Sequence, residues 1–325
     1  MTMNAALPIA VVATILLCNA PAIAQVTGPQ LRDIIKSAAV TSDLASAFQA
    51  LTIFGATPGI STARLHVDEA GPDGRFSSYK LAPSYAFASE VPGIRPYVEM
   101  TVGYLNNTQS SSLAVNAPVQ TAIDLDIDTF TALGGGGLEI DIAEGTVLRP
   151  ILLAGYSRTS GGGVTNGPEG DLIREAGSGI FFDVVSNNFL IGGALALDHA
   201  RTLGEDANLK LSLRYNQLLD RSFDASADEL EGINSYGVLT GSARIDGPLP
   251  VTLAGRSLRW IGFASNTFLP GSKRDLGFSF FFELGGGVEI VDPSIVEGVE
   301  GISLRTSAIA GDGVYGWSIG LAMEF

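Results

Sequence analysis

From about residue 61 to its end the chain alternates bulky apolar residues with small or polar ones. A period of two marks β-strands, whose successive side chains leave opposite faces. In "LGFSFFFELGGGVEI", Leu276, Phe278, Phe280, Phe282, Leu284, Val288 and Ile290 share one face; Gly277, Ser279, Phe281, Glu283, Gly285, Gly287 and Glu289 share the other. In "NLKLSLRYN", Leu209, Leu211, Leu213 and Tyr215 oppose Lys210, Ser212, Arg214 and Asn216. In "YVEMTVGY", Val98, Met100, Val102 and Tyr104 oppose Tyr97, Glu99, Thr101 and Gly103. "FTALGGGGLEIDI" sets Phe130, Ala132, Leu138, Ile140 and Ile142 against Thr129, Thr131, Glu139 and Asp141. A sandwich would bury the apolar face in a core, with strands nearer five or six residues. A membrane barrel turns that face to lipid and needs about 9–11 residues per tilted crossing. The longest runs here meet the second requirement, and Tyr104, Tyr156, Tyr215 and Trp317 fall near strand ends, where interfacial girdles belong.

Candidate strands are 62–69, 76–87, 95–105, 127–142, 147–158, 176–185, 189–199, 207–218, 233–245, 253–267, 276–291, 301–309 and 314–325. Bacterial barrels have an even strand number, so two of these segments merge or one is not a strand, and twelve is expected. Tight turns are predicted at "EGT" 144–146 and "SNN" 186–188, and long loops at 106–123, 159–174 and 219–232. Short connections at one end and long ones at the other fit the barrel. The face predicted to line the lumen carries Arg64, Lys80, Glu99, Glu139, Asp141, Lys210, Arg214, Glu283, Glu289 and Arg305, of both signs.

Residues 27–53 carry the helical period instead. Thr27 and Gln30 have capping-box spacing, Pro29 suits a first turn, and Leu31, Ile34, Ile35, Ala38, Leu44, Ala45, Phe48 and Leu51 recur on one side. "TSD" at 41–43 is positioned to break it in two. A helix of this length is marginal alone in water, and a twelve-strand lumen has room for one. Leu31, Ile34, Ile35, Phe48 and Leu51 are therefore expected to seat it in the lumen as a plug.

Residues 1–24 have no charged side chain; "LPIAVVATILLC" and the small-x-small triplet Ala22-Ile23-Ala24 read as a signal peptide cut before Gln25. The domain plan is thus 1–24 signal peptide, 25–60 helix and linker, and 61–325 barrel. Cys18 is the only cysteine and falls in the leader, so no disulfide or cysteine metal site is expected in the exported chain. The net charge of −15 argues against nucleic acid as a partner. Only 16% of residues are charged, below the ~25% typical of soluble globular domains.

Chemistry is sparse. His66 shares a face with Arg64 and Asp68 and is expected to point into the lumen; His199 lies near a strand end. A lumen- or rim-facing His/Ser site of a lipid hydrolase is the alternative to a barrel without catalysis, but no serine motif accompanies either histidine. Asp124, Asp126 and Asp128 in "DLDID" share one face and read as a solvated strand extension rather than a Ca²⁺ site. The runs at 134–137, 161–163 and 285–287 lack the following Lys-Ser/Thr of a phosphate loop; they read as strand curvature or as room for the plug. No cofactor or metal is expected.

The last strand sets Tyr315, Trp317, Ile319, Leu321, Met323 and Phe325 on one face, ending in an aromatic. Together with the leading helix and about twelve strands, this resembles the β-domain of bacterial autotransporters, in a solitary form without a passenger. The resemblance implies a helix threaded through the lumen. It implies that the terminal row is read by the outer-membrane barrel assembly machinery. It also implies outer-membrane localisation, with the lipid bilayer and lipopolysaccharide as surroundings.

Overall fold

The structure is a computed structural model and describes residues 25–56, 62–67, 75–204, 206–253, 255–291 and 301–324. The chain begins with two helices, α1 (Gly28–Ser42) and α2 (Leu44–Ala56). Thr27 donates its N–H to Gln30 Oε1 at 3.0 Å, as the capping spacing predicts. The break falls at "TSD": Asp43 takes a left-handed φ of 56°, which Asp tolerates better than most residues, and α2 restarts at once.

Thirteen strands follow: β1 Thr62–Val67, β2 Arg75–Leu81, β3 Ser84–Ala86, β4 Ile94–Leu113, β5 Thr121–Ala143, β6 Thr146–Asn166, β7 Val184–Leu203, β8 Ala207–Ala225, β9 Ile233–Leu253, β10 Arg256–Phe268, β11 Phe280–Val291, β12 Gly301–Gly311 and β13 Val314–Glu324. Each pairs antiparallel with its neighbours, and β1–β13 with β2–β4 closes the ring. β2 and β3 both pair with β4 and form one stave, interrupted at Pro83, which has no N–H to give to a ladder. The result is a closed barrel of twelve staves.

The two ends differ. Glu144–Gly145 is a tight connection at one end. The other end carries the short helix α3 (Gly170–Gly177), a 3₁₀ turn at Asp228–Leu230 and the single-turn α4 (Lys273–Leu276). These are the short-turn end and the loop end.

The outer face is an apolar belt. Val98, Met100, Leu138, Leu152, Leu195, Leu213, Leu284, Leu304 and Ile319 are all exposed, Leu152 at 79% and Leu284 at 70%. Tyr104, Phe130, Tyr156, Phe189, Tyr315 and Trp317 rim the belt toward the loop end. A soluble surface does not expose so continuous a patch, whereas a lipid-facing one must.

Beyond that rim the two faces exchange polarity while the alternation continues. On β5, Asp124 and Asp126 now point outward and Ile123, Leu125 and Ile127 are buried inside. The barrel thus rises past the lipid boundary into water and encloses an apolar core there. This explains three corrections: much of the expected loops 106–123, 159–174 and 219–232 is strand, because outward Ser, Asn and Asp in water look like loop composition.

Other expectations also change. Segment 176–185 is not a strand up to Asp183, and only Val184 and Val185 belong to β7; its apolar residues Ile180, Phe181 and Phe182 follow α3 and fill the core under the loop end. Leu276 and Phe278 likewise lie in that core, and β11 begins only at Phe280. Ser186, Asn187 and Asn188 are not a turn but part of β7, where the register against β8 slips.

Candidate functional site in the barrel lumen

The loop-end core receives one side of each N-terminal helix. Leu31, Ile35, Ala38 and Ala39 of α1 and Leu44, Phe48 and Leu51 of α2 are all buried; Ile34 is only half-buried. Burying each large side chain contributes about 1.5–3 kcal/mol. The opposite side of α2 is polar. Ser46, Gln49 and Thr52 follow at intervals of three, one stripe of the helix, and all are buried.

Each stripe residue meets the wall. Ser46 Oγ lies 2.9 Å from Tyr236 Oη and donates to Asp275 Oδ2 at 3.0 Å. Gln49 Nε2 donates to the Gly232 carbonyl at 3.1 Å, and Asn234 Nδ2 donates to Gln49 Oε1. Thr52 Oγ1 and Ser157 Oγ are 2.8 Å apart. The contacts step from the loop-end helix α4 to the inner faces of β9 and β6, a rise of roughly 9 Å along the helix. Unpaired polar atoms in such surroundings would cost about 1–3 kcal/mol each, so these bonds fix the rotation of α2. The stripe was not recognised in the sequence; its signal was Ser46, Gln49 and Thr52 at spacing three in an otherwise apolar helix.

The preceding chain is anchored at the loop end. Val26 N–H donates to Asn116 Oδ1 at 2.6 Å and Asn116 Nδ2 returns a bond to the Val26 carbonyl at 3.0 Å. Arg32 donates to the Ala176 and Ser178 carbonyls at the C-terminus of α3, where a cation is favoured. Lys36 pairs with Glu229 at 2.9 Å. Burial by itself raises the Glu229 carboxyl, but its bond to Lys36, a backbone hydrogen bond and the charges of Lys36 and Arg32 together outweigh this and hold it below the ordinary 4.5.

Toward the short-turn end the inner wall is charged. Arg95 bridges Glu139 at 2.6 Å and Asp141 at 3.1 Å; Arg149 bonds Glu139 at 2.5 Å and pairs with Asp198. The Arg149 guanidinium lies 5.1 Å over the Tyr97 ring, and Tyr97 Oη donates to Glu99. Arg214 bonds both Glu99 oxygens, at 2.8 and 2.5 Å. Farther round, Arg244 pairs with Glu289 at 3.0 Å, and Glu283 accepts from Ser265, Ser307 and Ser318. The inner-face expectation therefore matches for Lys80, Glu99, Glu139, Asp141, Lys210, Arg214, Glu283, Glu289 and Arg305.

Arg64 and His66 are corrections. They pair across β1–β13 with Trp317 and Tyr315, so they share those residues' outer face. Arg64 lies over the Trp317 ring at 5.8 Å, and His66 packs against Tyr315 with centroids 4.8 Å apart. A six-residue strand gave too little alternation to fix its facing. His199 sits near the short-turn end with Nδ1 2.9 Å from Thr146 Oγ1. The two histidines occupy opposite ends of the wall and form no common site.

Of the two roles expected for the glycine runs, room for the plug is not what Gly135 and Gly285 provide. A Cβ on Gly135 would come within 2.8 Å of Glu99 Cγ and 2.9 Å of Leu153, and one on Gly285 within 2.5 Å of Phe263. The space is used by neighbouring wall side chains, not by the helix. Asp124, Asp126 and Asp128 accept from Ser110, Asn106 and Tyr104 on the outer face above the belt. Of the terminal row, Tyr315, Trp317, Ile319 and Leu321 face outward and are exposed, the Met323 backbone pairs with Ile302, and Phe325 lies outside the described residues.

No protein-family model matches the chain, and no curated protein is similar to it in sequence. Among solved structures it is similar to the β-domain of the Bordetella autotransporter BrkA, with 13% identity, a TM-score of 0.48 and coverage of 81% of this chain and 96% of that one. It is similar to the translocator domain of autotransporter NalP from Neisseria meningitidis, with 13% identity, a TM-score of 0.44 and coverage of 89% and 97%. The transport unit of autotransporter AIDA-I from Escherichia coli gives 13% identity, a TM-score of 0.44 and coverage of 88% and 99%. The likeness is one of barrel architecture.

Proposed function

We propose that this chain is an outer-membrane barrel of structural or pore and translocator type, its lumen plugged by α1 and α2. Residues 1–24 act as the export signal, 25–60 as plug and linker, and 61–325 as the barrel. The observation that carries the plug is the buried stripe Ser46, Gln49 and Thr52, each bonded to loop-end or inner-wall groups. A helix lying on the membrane surface would have no reason to bury such a stripe, and it would favour a Lys- or Arg-rich face that α1 and α2 lack. The belt supports a bilayer with lipopolysaccharide above it. The row Tyr315, Trp317, Ile319, Leu321, Met323 and Phe325 is what the assembly machinery would read, and the outward exposure of Tyr315, Trp317, Ile319 and Leu321 supports this. The lipid-hydrolase alternative loses support from His66, whose ring packs on outer-face Tyr315.

In this reading the chain ahead of Val26 emerges at the loop end, facing the cell exterior, as a translocated segment would. An epitope inserted between Gln25 and Val26 tests it. Whole cells should bind the antibody, and an epitope inserted at the Glu144–Gly145 turn should bind only after the envelope is broken. The reverse pattern would sink the reading.

A further inference from the structure

One ion pair toward the short-turn end joins staves that are far from adjacent. Arg214 on β8 and Glu99 on β4 bond through both guanidinium nitrogens and both carboxylate oxygens, at 2.8 and 2.5 Å. Three staves, β5, β6 and β7, stand between those strands. Following the register from Glu99 through Gly135, Leu153 and Gly192 leads to Leu218, four residues beyond Arg214. Strand tilt in a barrel makes such an offset cancel across several staves, bringing the two side chains to one height. The bond therefore bridges the lumen instead of following a ladder.

The surroundings are shaped for it. Gly135 lacks the Cβ that would strike Glu99 Cγ at 2.8 Å, so the carboxylate is free to lean over β5 toward β8. Tyr97 Oη donates to the same carboxylate at 3.1 Å, and Arg214 Nε donates to Asn216 at 2.8 Å, which holds both ends in position. The two side chains are only 14% and 8% exposed. The bridge lies nearer the short-turn end than α2, whose Thr52 carbonyl meets Thr131, paired with Gly103, four residues along β4 from Glu99. Bidentate Arg–carboxylate pairs are among the stronger polar contacts and hold a fixed geometry.

We propose that the Glu99–Arg214 bridge is a second barrier, closing the lumen from the short-turn end independently of the helices. This rests on the plugged-lumen reading, because the helices then close the loop end. The chamber between the two closures admits water-soluble molecules only when one of them yields.

Thr101, inward on β4 between Glu99 and Gly103 and 3% exposed, reports on that chamber. In the full chain with Cys18 replaced, Thr101→Cys is labelled by a small charged methanethiosulfonate reagent in detergent. Folding is checked by the heat-dependent gel shift of each variant. Labelling should be slow, at least tenfold faster in Arg214→Ala, and faster also in the milder Glu99→Gln. The swapped pair Glu99→Arg with Arg214→Glu should restore protection, which general loosening of the wall would not. Slow labelling in every folded variant overturns the second barrier and leaves the plug standing. Fast labelling of Thr101→Cys alone means that at least one closure is open and overturns the two-barrier proposal; if a Thr52→Cys, Ser157→Cys cross-link still forms in that variant, the bridge is the one that fails.

Discussion

Leu284 offers the sharpest test of which face meets lipid. It is 70% exposed near the middle of β11, opposed by Ala264 and Ala308 on the neighbouring strands. An Arg on the lipid face costs about 2–4 kcal/mol at the bilayer midplane. Each 1.4 kcal/mol is a tenfold change, so Leu284→Arg should shift the folding equilibrium by roughly 30- to 700-fold. The comparison is Ser242→Arg. Ser242 lies opposite Ser212 and Ser265, on the inner face shared with Arg244, and is exposed there to the lumen. An Arg at that site keeps its charge in water and should cost under about 1 kcal/mol. Both variants would be refolded into phospholipid vesicles and unfolded with guanidinium, followed by the fluorescence of Trp260 and Trp317. A difference below about 0.5 kcal/mol would refute the assignment of faces on which the rest depends.

Gly135→Ala should destabilise the barrel by about 1–3 kcal/mol, since the new methyl meets Glu99, Leu153 and Ile151, whereas Gly136→Ala on the other face meets nothing within 4 Å and should be near neutral in the same unfolding assay. The Lys36–Glu229 pair makes the loop end acid-sensitive: because Lys36 and the other groups around it hold the Glu229 carboxyl below 4.5, its contribution is full above that pH and is lost as pH falls through the lower folded value. The Tm of the intact barrel should therefore fall more steeply below about pH 4.5 than that of Glu229→Gln; parallel curves would contradict this.

The sequence reveals most where the chain has one environment on each side. Within the lipid belt, alternation placed Val98, Leu138, Leu213 and Leu284 outside and Glu99, Glu139 and Arg214 inside, because lipid and lumen differ in polarity. The break at Asp43 was legible because Thr-Ser-Asp disfavours a helix interior. Beyond the belt the outer face meets water and the inner face a core, so Ile123 and Asp124 exchange roles and the same pattern reads as loop. Apolar Ile180, Phe181 and Phe182 resembled a strand because period alone cannot distinguish a short buried run from one. The lumen network was least legible. Its faces followed from parity, but the partnership of Glu99 with Arg214 depends on tilt and register across five strands.

The central claim is that α2 occupies the lumen, and a single disulfide tests it. Thr52 Oγ1 and Ser157 Oγ are 2.8 Å apart, so their replacement by cysteines, with Cys18 removed, sets two thiols within bonding range if the helix is seated there. The barrel assembled in cells should show the cross-link as a reductant-sensitive mobility change, as should the positive control Ala63→Cys with Ser318→Cys, opposed across β1 and β13. Formation of the control bond without the Thr52–Ser157 bond, in barrels that pass the heat-shift test for folding, would contradict the account.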